Sequence, residues 1–143
     1  MPQHVNHLGH VFGGVILSMV DRAAAVAAMR HSGHACVTVS IDRVDFREPI
    51  YSGWLVTCRA QVNYVGRTSM EVGVTVESEN PLTGVSRLTN TCYLTFVAVH
   101  DDGRPVEVPR LELQTGEEEQ RFREGARRRE VRQALAKELG EGR

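Results

Sequence analysis

One acidic residue lies within an otherwise apolar segment near the start of the chain. Twelve of the fifteen residues from Val15 to Met29 are apolar, and Asp21 is the only acid among them. A carboxylate in apolar surroundings is costly unless it is hydrogen-bonded, paired or engaged in chemistry. Gly14, Ser18 and Asp21 are separated by four and three residues, so a helix places them on one face. The spacing suits a general base or nucleophile. The alternative is that Asp21 is a polar residue without a catalytic role that faces a gap beside the helix or a partner subunit.

The Gly13-Gly14 pair falls where this helix begins. The first four N–H groups of a helix have no partner within it, and glycine lets a ligand approach them closely. With the helix dipole, these donors could hold a carbonyl oxygen as it gains negative charge. Tight packing of the two glycines is the alternative. Asn6, just ahead of the helix, could orient a water or act as a helix cap.

A second candidate is Gly66-Arg67-Thr68-Ser69, a glycine turn beside a guanidinium and two hydroxyls. Such a turn can bind phosphate through backbone and charge-assisted hydrogen bonds, although an ordinary hairpin turn has the same composition. Residues 121–132 hold six arginines and two glutamates, a local charge of +4. This run suits either a solvated helix face or the phosphates of a nucleotide-bearing ligand.

Neither a metal site nor a cysteine or serine nucleophile is predicted. The six histidines show no convincing metal-ligand spacing, and no nucleophile elbow is centred on a serine. The three cysteines, Cys36, Cys58 and Cys92, form no CxxC pair and have no evident partner base. We therefore interpret them as small strand residues of a reduced, cytoplasmic protein.

The periodicity of the chain predicts the elements that position these residues. A helix over about 13–31 is apolar nearly all round, which predicts burial on most sides, and Gly33 ends it. Strand-like alternation follows over 35–46, 54–64, 70–76 and 85–99. In the first of these runs the alternation slips after Ile41, which indicates a bulge. The short connections between the later runs predict an antiparallel meander.

A second, charged helix is predicted over about 117–139. Three glutamate–arginine pairs at i,i+4 spacing support it: Glu117 with Arg121, Glu119 with Arg123, and Glu124 with Arg128. Together the elements predict an α+β protein in which an antiparallel sheet wraps around one long central helix, with a C-terminal helix added. This is the hotdog arrangement, placed at 1–110, with a charged helical extension at 111–143. Because a single sheet leaves one face and its edges uncovered, oligomerisation is expected.

Length and composition fit one globular domain. The chain has 143 residues, of which 41% are apolar and 24% charged. Its net charge of -1 gives no general attraction for nucleic acid or an anionic membrane. The start lacks the charged-then-apolar order of a signal peptide, and the apolar stretch is too short and too polar to cross a bilayer.

Several segments, in the same order, resemble the acyl-CoA thioesterases of the hotdog fold. They are 2–9 (PQHVNHLG), 12–14 (FGG), 19–21 (MVD), 39–49 (VSIDRVDFREP), 65–72 (VGRTSMEV) and 94–99 (LTFVAV). The resemblance covers nearly the whole chain. It implies hydrolysis of a thioester between coenzyme A and an acyl group, with no metal or redox cofactor.

The resemblance also implies roles for individual residues. Asp21 would act as general base or nucleophile, Asn6 would assist, and the helix start at Gly14 would polarise the thioester carbonyl. In the family the asparagine and the aspartate of one site come from different hotdog units. A homodimer would therefore be the minimal active unit, and such dimers commonly form trimers of dimers. The residues implied to contact coenzyme A are Gly13, Arg67, Thr68, Ser69 and, more weakly, Arg128.

The sequence departs from the family in two places. Relatives usually carry a strand before the PQHVN-like segment, and here that strand is either truncated or absent. Trp54 stands where relatives often have an aspartate after Gly53.

The alternative function is a non-catalytic module that binds or senses acyl-CoA. Such a module needs the phosphate-binding turn at 66–69 but does not need Asp21. A hotdog hydratase or dehydratase would need a catalytic histidine, and His10 lacks the surroundings of one. A nucleic-acid role for the arginine helix is disfavoured by the near-neutral charge.

Overall fold

The computed structural model describes residues 13–42 and 44–141. The elements, in chain order, are α1 (Gly13–Ser32), β1 (Ala35–Ile41), β2 (Leu55–Val65), β3 (Ser69–Glu79), β4 (Ser86–Val99) and α2 (Gly116–Glu138). The predicted succession of one helix, four strands and a charged helix is confirmed. The first strand was predicted too long, because beyond Ile41 the chain follows β4 only through single backbone bonds. Asp42 N donates to Tyr93 O, and Arg47 N donates to Thr89 O.

The four strands form one antiparallel sheet in the order β1-β4-β3-β2. The predicted meander is confirmed for β2, β3 and β4. The segment 42–54 then carries the chain from β1 at one edge of the sheet to β2 at the other. The bulge in β1 lies between Thr38 and Ser40, a few residues earlier than the phase slip indicated. A bulge changes which side chains of the strand face the helix. The alternating pattern alone gives the position of such a bulge only to within a few residues.

Helix α1 packs on one face of the sheet and contacts all four strands. Its buried residues recur every fourth position, namely Ile16, Val20, Ala24, Ala28 and Ser32. The prediction that α1 is buried on most sides is wrong for the single chain. Val26 and Met29 on the helix are both exposed, as are Val37 and Val39 on the edge strand β1. One sheet covers only one side of a helix, so the remaining apolar surface needs another molecule to cover it.

Helix α2 packs on the opposite face of the sheet. Thr115 caps its N-terminus by accepting a hydrogen bond from the Glu118 N–H at 3.1 Å. The helix comes close to the sheet at Gly125, where an added Cβ would lie 2.8 Å from Cβ of Tyr64. The Phe122 and Tyr64 rings meet one turn away, with their centroids 4.9 Å apart. The division of the chain at residue 110 stays a prediction.

The ion pairs of α2 differ in part from those expected. Arg121 pairs with Glu117 at 3.9 Å, as predicted, but Arg128 pairs with Glu71 of β3 instead of Glu124. The pair with Glu71 is the stronger one because the guanidinium and the carboxylate are shielded from water there, whereas an i,i+4 pair on an exposed helix face is weak. Within the described residues, no helix is long and apolar enough to cross a membrane.

Candidate active site

The carboxylate of Asp21 is held by a residue of the edge strand. Thr38 Oγ1 donates a hydrogen bond to Asp21 Oδ1 at 2.8 Å. Thr38 pairs with Phe96 in the sheet, so its side chain points to the same side as that buried ring, toward α1. Asp21 is half-buried on the flank of the helix, and the described residues supply no hydrogen bond to its second oxygen. The carboxylate is therefore oriented by one donor while its other oxygen stays available.

The start of α1 presents the two predicted glycines. Gly14 is exposed, and Gly13 lies against the ring of Phe46, whose nearest atom is 3.5 Å from the position of an added Cβ. The first-turn N–H groups have no acceptors within the helix. Asp21 follows Gly14 by seven positions, which is about 10 Å along a helix axis. A single chain therefore does not bring both groups to the same thioester carbonyl. Asn6 lies outside the described residues.

The Gly66–Ser69 segment forms the predicted hairpin turn between β2 and β3. Gly66 N donates to Ser69 O at 2.8 Å, and Val108 N donates to Arg67 O at 2.9 Å. Thr68 O accepts from Ala98 N at 3.1 Å, while the Arg67 side chain is exposed. The turn is thus fixed on both sides by backbone bonds. The contact of its side chains with coenzyme A stays a prediction.

The sheet register places this turn at the same end of the molecule as Asp21. Val65 pairs with Met70, Met70 with Phe96, and Phe96 with Thr38. These four residues form one row across the sheet, three strand spacings or about 14 Å long. The threonine that holds Asp21 lies at one end of the row, and the turn begins at the other end.

Arg128 lies on the other face of the sheet and is already paired with a carboxylate. Its guanidinium donates to both carboxylate oxygens of Glu71, at 2.9 and 2.7 Å, and lies 3.7 Å from the centroid of the Tyr93 ring. The hydrogen bonds with Glu71 raise the pKa of Arg128 above its already high ordinary value. Glu71 is only 3% exposed and also accepts from Asn63. The predicted contact of Arg128 with coenzyme A gains no support from this geometry.

The cysteines have the properties of structural residues. Burial and the nearby Cys58 thiol raise the pKa of Cys92 to about 11, and burial also raises the pKa of Cys58. A thiol with a raised pKa carries little thiolate near neutral pH and is a poor nucleophile. Among the described residues, no cluster of three or more histidine, cysteine or acidic side chains could hold a metal ion.

The sequence pattern missed Thr38, because a threonine in a strand looks ordinary. The alternation of β1 could have indicated it, because Cys36 and Thr38 fall on the same side of the strand, which faces α1 near Asp21. The pattern also missed Arg110, whose guanidinium donates to the carbonyl oxygens of Gly66 and Val108. No local motif marks an arginine that reaches across 44 residues to a turn.

Comparison with known proteins gives this arrangement a class. The sequence pattern of the thioesterase superfamily matches residues 8–85. The uncharacterized acyl-CoA thioester hydrolase YkhA of Bacillus subtilis is 40% identical over 97% of this chain and 85% of its own. A hexameric acyl-CoA thioesterase solved without ligand is 44% identical, with a TM-score of 0.90 over 95% of this chain and 87% of that one. An acyl-CoA hydrolase from Bacillus cereus is 40% identical, with a TM-score of 0.88 over 98% and 87% of the two chains.

A long helix packed on one face of an antiparallel sheet is the arrangement of the hotdog fold, the fold of these matched thioesterases. The matches extend over nearly the full chain and most of each relative. The chain therefore belongs to the thioesterase superfamily, among its hotdog-fold acyl-CoA thioesterases.

Proposed function

We propose that this chain hydrolyses acyl-CoA thioesters to a free acid and coenzyme A, with Asp21 as the reacting carboxylate. The observation that carries the proposal is the hydrogen bond from Thr38, which fixes one oxygen of Asp21 and leaves the other available. As a general base, that oxygen takes a proton from water, hydroxide adds to the carbonyl carbon, and the coenzyme A thiolate leaves. As a nucleophile, it forms a mixed anhydride and expels the thiolate, and water then cleaves the anhydride.

The N–H of Gly14 is proposed to polarise the thioester carbonyl. A donor at a helix start stabilises the negative charge that develops on that oxygen during attack. Since Gly14 and Asp21 are about 10 Å apart along one helix, we assign them to different subunits at one site. A two-fold axis near Ser18 would place Gly14 of one chain opposite the partner's Asp21. Asn6 is then assigned to help orient the water.

The residues chosen for substitution in a relative correspond to these assignments. An acyl-CoA hydrolase of Staphylococcus aureus has been solved with butyryl coenzyme A and coenzyme A, at 36% identity over 99% of this chain. It has also been solved and characterised with an aspartate, an asparagine or a threonine replaced by alanine. In that protein the asparagine and the threonine stand at the same separations from the aspartate as Asn6 and Thr38 stand from Asp21 here.

The same relatives support an oligomer. Two solved relatives are described as hexameric, one at 44% and one at 35% identity. The exposed apolar residues of α1 and β1 supply a surface for a second copy, so we propose a homodimer as the active unit and a trimer of dimers as the assembly. The mechanism uses no metal and no redox cofactor. Three free thiols suit the reducing cytoplasm.

Release of free thiol from a panel of acyl-CoAs, from short to long, tests the proposal. Turnover of at least one thioester by the wild-type chain is the expected result, and the panel ranks the acyl groups. Tight binding across the panel without any thiol release, by a folded oligomer, would replace the enzyme with a module that only binds or senses acyl-CoA.

A further inference from the structure

A pocket of about 310 Å³ lies between the sheet and α2, on the face opposite α1. Its floor is the row of Gln61, Gly73 and Tyr93, which pair across β2, β3 and β4. Glycine in the interior of a strand weakens the strand and often marks a place where another group approaches the backbone closely. The pocket is thus separated by the sheet from Asp21 and the proposed thioester chemistry.

One buried oxygen at this pocket has no hydrogen-bond partner. Asn63 lines the pocket, is 4% exposed, and lies over Gly73, where an added Cβ would be 2.5 Å from its Nδ2. The same Nδ2 donates to Glu71 Oε1 at 3.3 Å. Because a carboxylate only accepts, this bond fixes which end of the amide is the oxygen. Among the residues that the structure describes, none donates to Asn63 Oδ1. A buried acceptor without a donor is costly, so a ligand with an O–H or N–H group is favoured there.

Two arginines beside the pocket have only weak partners. Arg59 of β2 and Arg121 of α2 each pair with a glutamate at 3.9 Å, and long, exposed pairs of this kind contribute little. Arg128 also lines the pocket but is held by two hydrogen bonds to a buried carboxylate. Glu124, an acid in the lining, is exposed and accepts from Gln120 at 2.9 Å. The pocket therefore offers two guanidinium groups, one from the sheet and one from the helix, that suit carboxylates.

We propose that this pocket binds a small dicarboxylate that carries a hydroxyl group. The hydroxyl donates to Asn63 Oδ1, and the two carboxylates pair with Arg59 and Arg121. A hydroxyl suits this single acceptor better than an ammonium group does, because a positive charge would be repelled by the arginines of the lining. Since the ligand contacts both the sheet and α2, its binding stabilises the packing of the helix. The site is independent of the proposed acyl-CoA hydrolysis.

A pair of ligands that differ only in the hydroxyl tests the role of Asn63. Isothermal titration calorimetry measures the Kd of malate and of succinate, its analogue without the hydroxyl. Malate should bind roughly tenfold more tightly, the scale of one hydrogen bond to a buried acceptor, and should raise the melting temperature of the protein. The comparison leaves Asn63 in place, so it does not disturb the bond to Glu71.

Substitutions at the two arginines test the position of the ligand. Arg59→Gln and Arg121→Gln should each weaken the binding of malate roughly tenfold, the loss expected for a charge-assisted contact. Arg123→Gln, in an exposed arginine of α2 outside the pocket, is the matched control and should bind malate as the wild type does. Asp21→Asn should also bind malate unchanged, because the ligand does not occupy the thioesterase site.

Each contrary outcome overturns the proposal. Absence of malate binding at millimolar concentration rejects the ligand class, and equal affinities for malate and succinate reject the contact with Asn63. Unchanged affinity in both arginine variants, or a loss in Asp21→Asn, places the ligand elsewhere. Thiol release by the wild type is measured separately, so failure of this proposal leaves the thioesterase function intact, and the reverse also holds.

Discussion

Two carboxylates on opposite faces of the sheet are held in opposite ways. Asp21, on the α1 face, is half-buried and accepts one side-chain hydrogen bond, from Thr38. Glu71, on the α2 face, is almost fully buried, and both of its oxygens accept from Arg128 while one also accepts from Asn63. A carboxylate with every oxygen occupied cannot accept another proton or attack a substrate without losing those bonds. The comparison shows that the more exposed acid is the one suited to chemistry, and the more buried acid serves stability.

The largest expected effect comes from removing the charge of Asp21. Asp21→Asn keeps the shape of the side chain and its hydrogen bond with Thr38 but leaves no base, so thiol release should fall by about a hundredfold or more. The measurement is kcat with the preferred acyl-CoA, with circular dichroism and oligomer size confirming the fold. Asp101→Asn, at an exposed turn, is the matched control. A variant with wild-type kcat would remove Asp21 from the mechanism.

Mixing two inactive variants tests whether one site draws on two chains. A heterodimer of Asn6→Ala and Asp21→Asn chains contains one site with both native residues if the site is shared. Random mixing should therefore restore about a quarter of wild-type activity, since half the dimers carry one intact site of two. The measurement is thiol release after the two variants are unfolded together and refolded. Activity no higher than the mean of the two separate variants would place Asn6 and Asp21 of the same chain in one site.

Thr38 should act as a positioning residue for Asp21. Thr38→Val preserves the strand and removes the hydroxyl, so kcat should fall roughly tenfold, the scale of one hydrogen bond to a charged group. Thr38→Ser restores the donor and should recover most of the activity. An equal loss in both variants would point to packing of the strand instead.

For Glu71 the expected loss is in stability. Glu71→Gln leaves Arg128 without its counter-charge in a partly buried position, which should cost about 2 kcal/mol of unfolding free energy. Urea unfolding measures this loss, and kcat per folded chain should stay near wild type. Glu77→Gln, whose pair with Arg59 is 3.9 Å long and largely exposed, should change stability by less than about 0.5 kcal/mol. If Glu71→Gln instead abolished turnover in a stable protein, the two carboxylates would not differ as described.

The smallest effect concerns alkaline pH. Burial raises the pKa of Cys92 to about 11 in the folded protein, above its ordinary value of 9.0. As pH rises past 9, the unfolded chain loses this proton before the folded chain does, so stability falls. The difference should reach about 1 kcal/mol between pH 8 and pH 10, measured by urea unfolding. Cys92→Ser should have a flatter pH dependence over this window, and an unchanged slope would contradict the assignment to Cys92.

The two faces also differ in how far the sequence predicted them. The periodicity of α1 and the alternation of β2 to β4 predicted the elements, and the lone acid in an apolar helix indicated Asp21. The alternation of β3 gave no sign that Glu71 is buried beneath α2, because contact between distant elements leaves no local pattern. For the same reason the pairing of β1 with β4 was not predicted, nor was Thr38, 17 residues from its partner.

Gly125 has no side chain, and this absence determines both how closely α2 packs on the sheet and where Arg129 lies. The distance between α2 and the sheet is set there by a hydrogen atom, since a methyl group would meet Tyr64 at 2.8 Å and Glu71 at 3.1 Å. Arg129 lies one helical turn further along, on the same side of the helix. Any larger residue at position 125 would move α2 outward and carry Arg129 with it. A single methyl group would then act as a spacer that weakens two contacts of α2 with the sheet together: the ion pair of Arg128 with Glu71 and the hydrogen bond from Arg129 to Tyr64.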